Sequence, residues 1–113
     1  MEVIGTHVRV RIYLGAGKRH GDRPLYEVIV LKARQLHLAG ATVLPGSMGF
    51  GRSARLHTSE VMSSVDLPVI IEIIDSAEKI RDFLFLLTEF NDIGLITRDT
   101  VDVLLYEPHA FRP

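Results

Sequence analysis

From Val8 the chain alternates strictly, with Val8, Val10, Ile12 and Leu14 on one side and His7, Arg9, Arg11 and Tyr13 on the other. A period of two predicts a half-buried strand. It stops at the glycine-rich, charged stretch Gly15–Asp22, which predicts a solvated loop. Pro24 suits the first turn of a helix with Asp22 as its cap, and Leu25, Ile29, Ala33 and Leu36 recur at helical spacing. Glu27 and Arg34 then face water, and Gly40 is placed to end the helix. Residues 41–48 predict a second strand at an edge or a bulge, because Pro45 cannot donate to a ladder. Residues 52–65 show no period and predict a polar connection. "DLPVIIEIID", residues 66–75, is the strongest strand, apolar on both faces except at Glu72. Asp75 or Ser76 can cap a second helix, with Glu78 in its first turn and Ile80, Phe83, Leu84, Leu87 and Phe90 as its buried stripe. After Gly94, "LITRDTVDVLLY" predicts a last strand, broken or bent around Arg98–Asp99, followed by a tail with two prolines.

The order is β-α-β-β-α-β. Right-handed crossovers turn it into an α+β, ferredoxin-like fold, a four-stranded antiparallel sheet with two helices on one face. One sheet face then stays uncovered although its strands carry apolar residues there, which predicts self-association.

A length of 113 residues fits one domain spanning 1–113 with a single core. A net charge of -1 gives no basic surface for nucleic acid. The absence of cysteine excludes disulfides, thiolate metal sites and a cysteine nucleophile. The first residues lack a signal-peptide apolar run and no apolar stretch is long enough to cross a bilayer, so the expectation is a cytoplasmic protein without membrane insertion.

Candidate chemistry centres on "GSMGFGRSARLHTSE", Gly46–Glu60. A Walker loop is excluded because no Gly-Lys-Ser/Thr occurs. Gly49, Gly51 and Ala54 match a dinucleotide fingerprint by letter, but no parallel β-α-β unit surrounds them. The bland reading is a bulged, positive-φ exit from an edge strand at Gly46, Gly49 and Gly51. The functional reading adds that bared amides at Gly49 and Gly51, beside Arg52, suit an anion or phosphate. The two are compatible.

Five histidines, His7, His20, His37, His57 and His109, show no metal-ligand spacing, and no metal is expected. Ser47, Ser53, His57 and Glu60 are near in sequence without forming a triad, and Glu72 and Asp75 fall on opposite strand faces, so no enzyme is indicated. Arg9 and Arg11 either line a subunit cleft or, in the favoured reading, pair with acids such as Glu72 or Asp102. Lys18, Arg19 and Arg23 read as part of a solvated turn.

The segment "GATVLPGSMGFGRSARLHTSEVMSSVDLPVIIEII" resembles the T-loop region of the PII nitrogen-regulatory proteins, centred on Gly49-Phe50-Gly51-Arg52. The whole chain is similar to an uncharacterised bacterial and archaeal family of PII-like proteins, through "RIYLG", "DRPLYE", "GATV…GFG", "DLPVIIEIID" and "GLIT". The resemblance implies a homotrimer and a non-enzymatic signalling protein that binds an adenine nucleotide between subunits and docks on a protein partner through the loop from Arg52 to Val65. It places Gly49, Phe50, Gly51 and Arg52 at the loop base, beside the nucleotide, and Gly94 in a second phosphate loop. This chain departs from PII there, with Ile93-Gly94-Leu95-Ile96 in place of Gly-Asp-Gly-Lys and no arginine in Val101–Tyr106. A triphosphate buried without those cations is costly, so AMP, ADP or another small anion is the expected ligand. The loop lacks the tyrosine that PII proteins modify; Ser53, Thr58, Ser59, Ser63 and Ser64 are its hydroxyl residues. The alternatives are a ligand-free structural or partner-binding trimer, and a cation-binding protein like CutA, which shares the fold.

Overall fold

The computed structural model describes residues 4–50, 57–58 (backbone only) and 67–107. Strand β1 (Gly5–Gly15) is followed by a small hairpin of β2 (Arg19–His20) and β3 (Arg23–Pro24), then helix α1 (Leu25–Gln35). Next come β4 (Ala41–Pro45), a two-strand ribbon of β5 (Met48–Gly49) and β6 (His57–Thr58), and β7 (Pro68–Asp75). Helix α2 (Ala77–Leu86), a 3-10 turn at Leu87–Glu89 and β8 (Leu95–Val103) complete the described fold.

The main sheet has the order β4-β7-β1-β8 with every pair antiparallel, the ferredoxin-like arrangement that the element order predicts. The alternation in β1 is realised: Val8, Val10, Ile12 and Leu14 are buried. Their partners Val69, Ile71 and Ile73 on β7 share that face, where Leu25, Ile29 and Ala33 of α1 and Ile80, Phe83 and Leu87 close the core. Each of these side chains except that of Ala33 contributes about 1.5–3 kcal/mol by leaving water.

Several local expectations are corrected. The loop Gly15–Asp22 is ordered as the hairpin, with Gly21-Asp22 as its two-residue turn. Gly21 has φ +66° and Asp22 does not share the left-handed region, the signature of a type II′ turn. Asp22 does not cap α1. Pro24 occupies the N-cap without a side-chain bond, and the Lys18 carbonyl accepts the Leu25 N–H at 2.8 Å instead. Leu36 is exposed rather than part of the core.

Nor does Gly40 end the helix. The Leu38 N–H reaches the Ala33 carbonyl and the His37 N–H the Arg34 carbonyl, both at 3.1 Å, which is the Schellman pattern. His37 takes the left-handed position at φ +59°, a place glycine normally fills. Three residues earlier than Gly40, the chain must already turn to begin β4.

The second helix starts as expected, with Ser76 Oγ accepting the Lys79 N–H at 3.2 Å. Asp75 is buried and accepts from Ser76 N–H at 2.6 Å and Ala39 N–H at 2.8 Å, joining the starts of α2 and β4. Tyr106 reaches the same corner, donating to the Ala39 carbonyl at 2.9 Å.

The last strand is unbroken through Arg98–Asp99, paired from Leu95↔Tyr13 to Val103↔Gly5. Asp99 lies directly opposite Arg9 and binds it, so the charged pair supports the ladder rather than interrupting it. Both helices pack over β4, β7 and β1, which leaves β8 an uncovered edge; Ile96 is 38% exposed although its partner Ile12 is fully buried.

His37→Gly should stabilise the protein by about 0.5–1 kcal/mol, the relief of left-handed strain exceeding the entropy glycine adds to the unfolded chain. Urea unfolding of the two proteins measures the difference.

Candidate functional site

One end of the sheet gathers the glycine-bearing connections. There β1 ends, β7 begins, β4 runs out at Pro45 opposite Val69, and β8 begins at Leu95 opposite Tyr13. Gly46 donates its N–H to the Pro68 carbonyl at 2.8 Å, and Ala16 donates to the Leu67 carbonyl at 2.8 Å. Gly94 donates to the Tyr13 carbonyl at 3.0 Å.

The glycines have a steric reason for being there. A Cβ on Gly46 would stand 2.8 Å from Cγ of the Pro68 ring, and one on Gly49 would stand 3.2 Å from the same atom. A Cβ on Gly94 would lie 3.2 Å from the Tyr13 carbonyl oxygen. Neither Gly46 nor Gly49 has a positive φ, so at these two positions the expected positive-φ exit is replaced by a close approach to a proline ring.

Met48 and Gly49 pair with Thr58 and His57, so the strand exit becomes a short ribbon. Phe50, at its tip, is 71% exposed. Gly51 and Arg52 lie outside the described residues, as do the side chains of His57 and Thr58 and the remainder of the Arg52–Val65 loop. Among the predicted ligand residues, the structure therefore brings Gly49, Phe50 and Gly94 to the same end of the sheet, with Gly49 against the Pro68 ring of β7 and Gly94 against the Tyr13 carbonyl of β1. The groove beside Gly94 does not take in Gly49.

The described edge near Gly94 carries a shallow groove of about 320 Å³, lined by Leu84, Leu87, Phe90, Ile93 and Ile96 with Thr88, Gly94 and Leu95. Sequence reading assigned the first leucines and Phe90 only to the core stripe. The signal for a groove is tertiary: β8 projects beyond the cover of α2. The hairpin β2–β3 was also missed as structure, although Gly-Asp between two short runs is a turn signal. Its His20 ring meets Phe90 edge-on, with centroids 4.9 Å apart.

On the open sheet face the arginines are committed to partners. Arg11 Nε donates to Glu72 at 3.0 Å, as the favoured reading has it. Arg9 pairs with Asp99 at 2.6 Å and not with Asp102, because the register sets Asp99 opposite it and Asp102 opposite Thr6. The hydrogen-bonded Arg9 guanidinium holds the Asp99 carboxyl below its ordinary value, and the charge of Arg9 adds to that. Around these pairs Ile70, Ile74 and Tyr13 remain half-buried and Leu44 exposed. Among the described residues no three His, Asp or Glu side chains converge on a metal-sized space.

The family DUF190, "Uncharacterized ACR, COG1993", matches residues 7–103. A UPF0166 protein of Aquifex aeolicus is 31% identical over 96 residues, covering 84% of this chain and 90% of that protein. The UPF0166 protein of Methanocaldococcus jannaschii is 34% identical over 75 residues, covering 66% of this chain and 69% of its own length. Among solved structures, a protein of Thermus thermophilus described as a PII-like signaling protein aligns with a TM-score of 0.64 at 20% identity, over 92% of this chain and 94% of that one. CPII, a nitrogen regulatory PII-like protein from Thiomonas intermedia K12 bound to ADP, AMP and bicarbonate, aligns with a TM-score of 0.66 at 15% identity, over 87% of this chain and 88% of that one. At these identities the structural likeness is one of fold.

Two outcomes follow from this geometry. Gly46→Ala should destabilise by about 1–3 kcal/mol, since neither the Pro68 ring nor its backbone can yield cheaply, and chemical denaturation reads the loss. Asp99 should titrate below the ordinary aspartate value near 3.9 and return to it in Arg9→Gln, as followed by carboxyl carbon NMR. Its depressed value means the pair's contribution is present above the unfolded value and is lost as pH falls through the folded one.

Proposed function

The chain belongs to the DUF190 family, and we propose that it is a single-domain, non-enzymatic regulatory protein of PII-like type that binds a small anionic ligand at subunit clefts. The ligand class is an adenine nucleotide with few phosphates, AMP or ADP. The protein is a homotrimer and works in the cytoplasm.

The observation that carries this reading is the placement of Gly49 and Gly94 at one end of the sheet, against Pro68 of β7 and Tyr13 of β1, while the groove beside Gly94 does not take in Gly49. A second subunit that brings its own edge alongside would complete a cleft around a shared ligand. The half-apolar open face, its charges already paired within the protomer, supports such packing, because burying it strands neither Arg9 nor Arg11. The presence of ADP, AMP and bicarbonate in the similarly folded CPII supports the ligand class. Arg52 then supplies the cation for a phosphate, with Phe50 beside the base. Ligand binding orders the Arg52–Val65 connection, and that change controls docking on a protein partner.

A second reading, a trimer that binds partners without any ligand, is favoured by a specific observation. The Gly46 and Gly94 amides are already spent on Pro68 and Tyr13, and the glycines are required by those contacts alone.

Calorimetric titration with AMP, ADP and ATP, each with and without bicarbonate, separates the two. The nucleotide reading expects micromolar binding of AMP or ADP that is lost in Arg52→Ala while the assembly, followed by light scattering, stays intact. Silence from all the ligands with an intact trimer leaves the second reading. A monomer in solution removes the cleft altogether.

A further inference from the structure

The hairpin β2–β3 stands at the same end of the sheet and takes no part in the ligand reading. Residues Gly15–Pro24 hold Lys18, Arg19 and Arg23 against a single carboxylate, Asp22, in a chain whose net charge is -1. Residues 17–23 are exposed. A local excess of positive charge therefore sits on an exposed element.

That element is fixed from several sides. Lys18 N–H donates to the Gly15 carbonyl at 3.2 Å, and the Leu25 N–H closes back on Lys18 at 2.8 Å. The turn is tight, and His20 packs edge-on against Phe90. A surface held this way presents its charges with little backbone entropy left to lose on binding.

The three cations differ in how free they are. Arg19 is folded back to donate to the Asp22 carbonyl across the turn. Arg23 meets Glu27 at 3.2 Å one helical turn away, but both are about half exposed, 55% and 46%, and such a pair is worth only a few tenths of a kcal/mol. It can exchange Glu27 for a better acceptor. Lys18 makes no ion pair among the described residues.

We propose that Lys18 and Arg23 on the β2–β3 hairpin form a docking surface for an acidic stretch of a partner protein. The partner's carboxylates bridge Lys18 and displace Glu27 from Arg23, while the rigid hairpin sets their position. Nucleic acid fits less well. The ring of His20 is engaged with Phe90 rather than offered for stacking on a base. The surface works without any nucleotide, so it stands or falls separately from the cleft.

The test uses the full chain and a fluorescein-labelled octaglutamate peptide, followed by fluorescence anisotropy at low salt in the absence of nucleotide. The expected result is binding that weakens as salt rises, falls roughly tenfold in K18E/R23E, and changes less than about twofold in R34E/R81E, which alters net charge equally on the helices. K18E alone should lose part of the affinity; it breaks no ion pair, and it decides the matter if circular dichroism shows the double variant unfolded. No binding of octaglutamate overturns the proposal. So does an equal loss in both double variants, which would reduce the effect to net charge. Tighter, hairpin-dependent binding of a single-stranded octanucleotide would assign the surface to nucleic acid instead.

Discussion

The pairing of β1 with β7 is the constraint from which the rest of the molecule follows. Val10 and Ile12 face Ile73 and Ile71, and all four are fully buried. A slip of one residue would carry the arginines of β1 into the core and its valines into water, so the register has one acceptable value. Once it is set, β4 and β8 can add only to the outer edges, and both helices must lie on the face where the aliphatic residues point. The connections leaving β4, entering β7 and entering β8 then all meet at one end of that sheet.

The opposite face shows how the same strands serve a second purpose. Arg11 and Glu72 are directly opposed across β1 and β7, as Arg9 and Asp99 are across β1 and β8. The exposed Arg9–Asp99 pair adds little to stability, and Arg11–Glu72 is only part-buried. Their consequence is that a face rich in isoleucine and leucine carries its charges already neutralised, which lowers the cost of covering it. The ladder also shows why charged letters need not end a strand: Arg98–Asp99 lies within β8 because Asp99 finds its partner across the sheet.

At the end where these connections meet, glycine and proline work together. Pro68 begins β7, and the chain leaving β4 must pass over its ring, where Gly46 and Gly49 leave room. The amides nearest the sheet are consumed in holding this crossing together, so an anion site must draw on the residues beyond it. The hairpin beside it is separately anchored and brings its cations to the same end. Ribbon, hairpin and the Gly94 turn thus share one end of the sheet.

The four strands of the main sheet, the two helices, their order and most of the aliphatic core were legible from periodicity, because a period of two or of 3.6 reports which side of an element is buried; the short β2–β3 hairpin and β5–β6 ribbon were not. Ser76 as a cap was legible for the same local reason. The importance of Gly46 and Gly49 could also be read, as an excess of glycine, and that of Gly94 through the family resemblance, but not its cause, since Pro68 and Tyr13 are distant in sequence. His37 in place of Gly40 at the end of α1 went unread because the length of the α1–β4 connection decides where the helix must stop. The partner of Arg9 likewise depended on strand register. Local pattern determines which residues are inside; only the tertiary structure decides which distant residues meet, because close approach and charge pairing are properties of two segments at once.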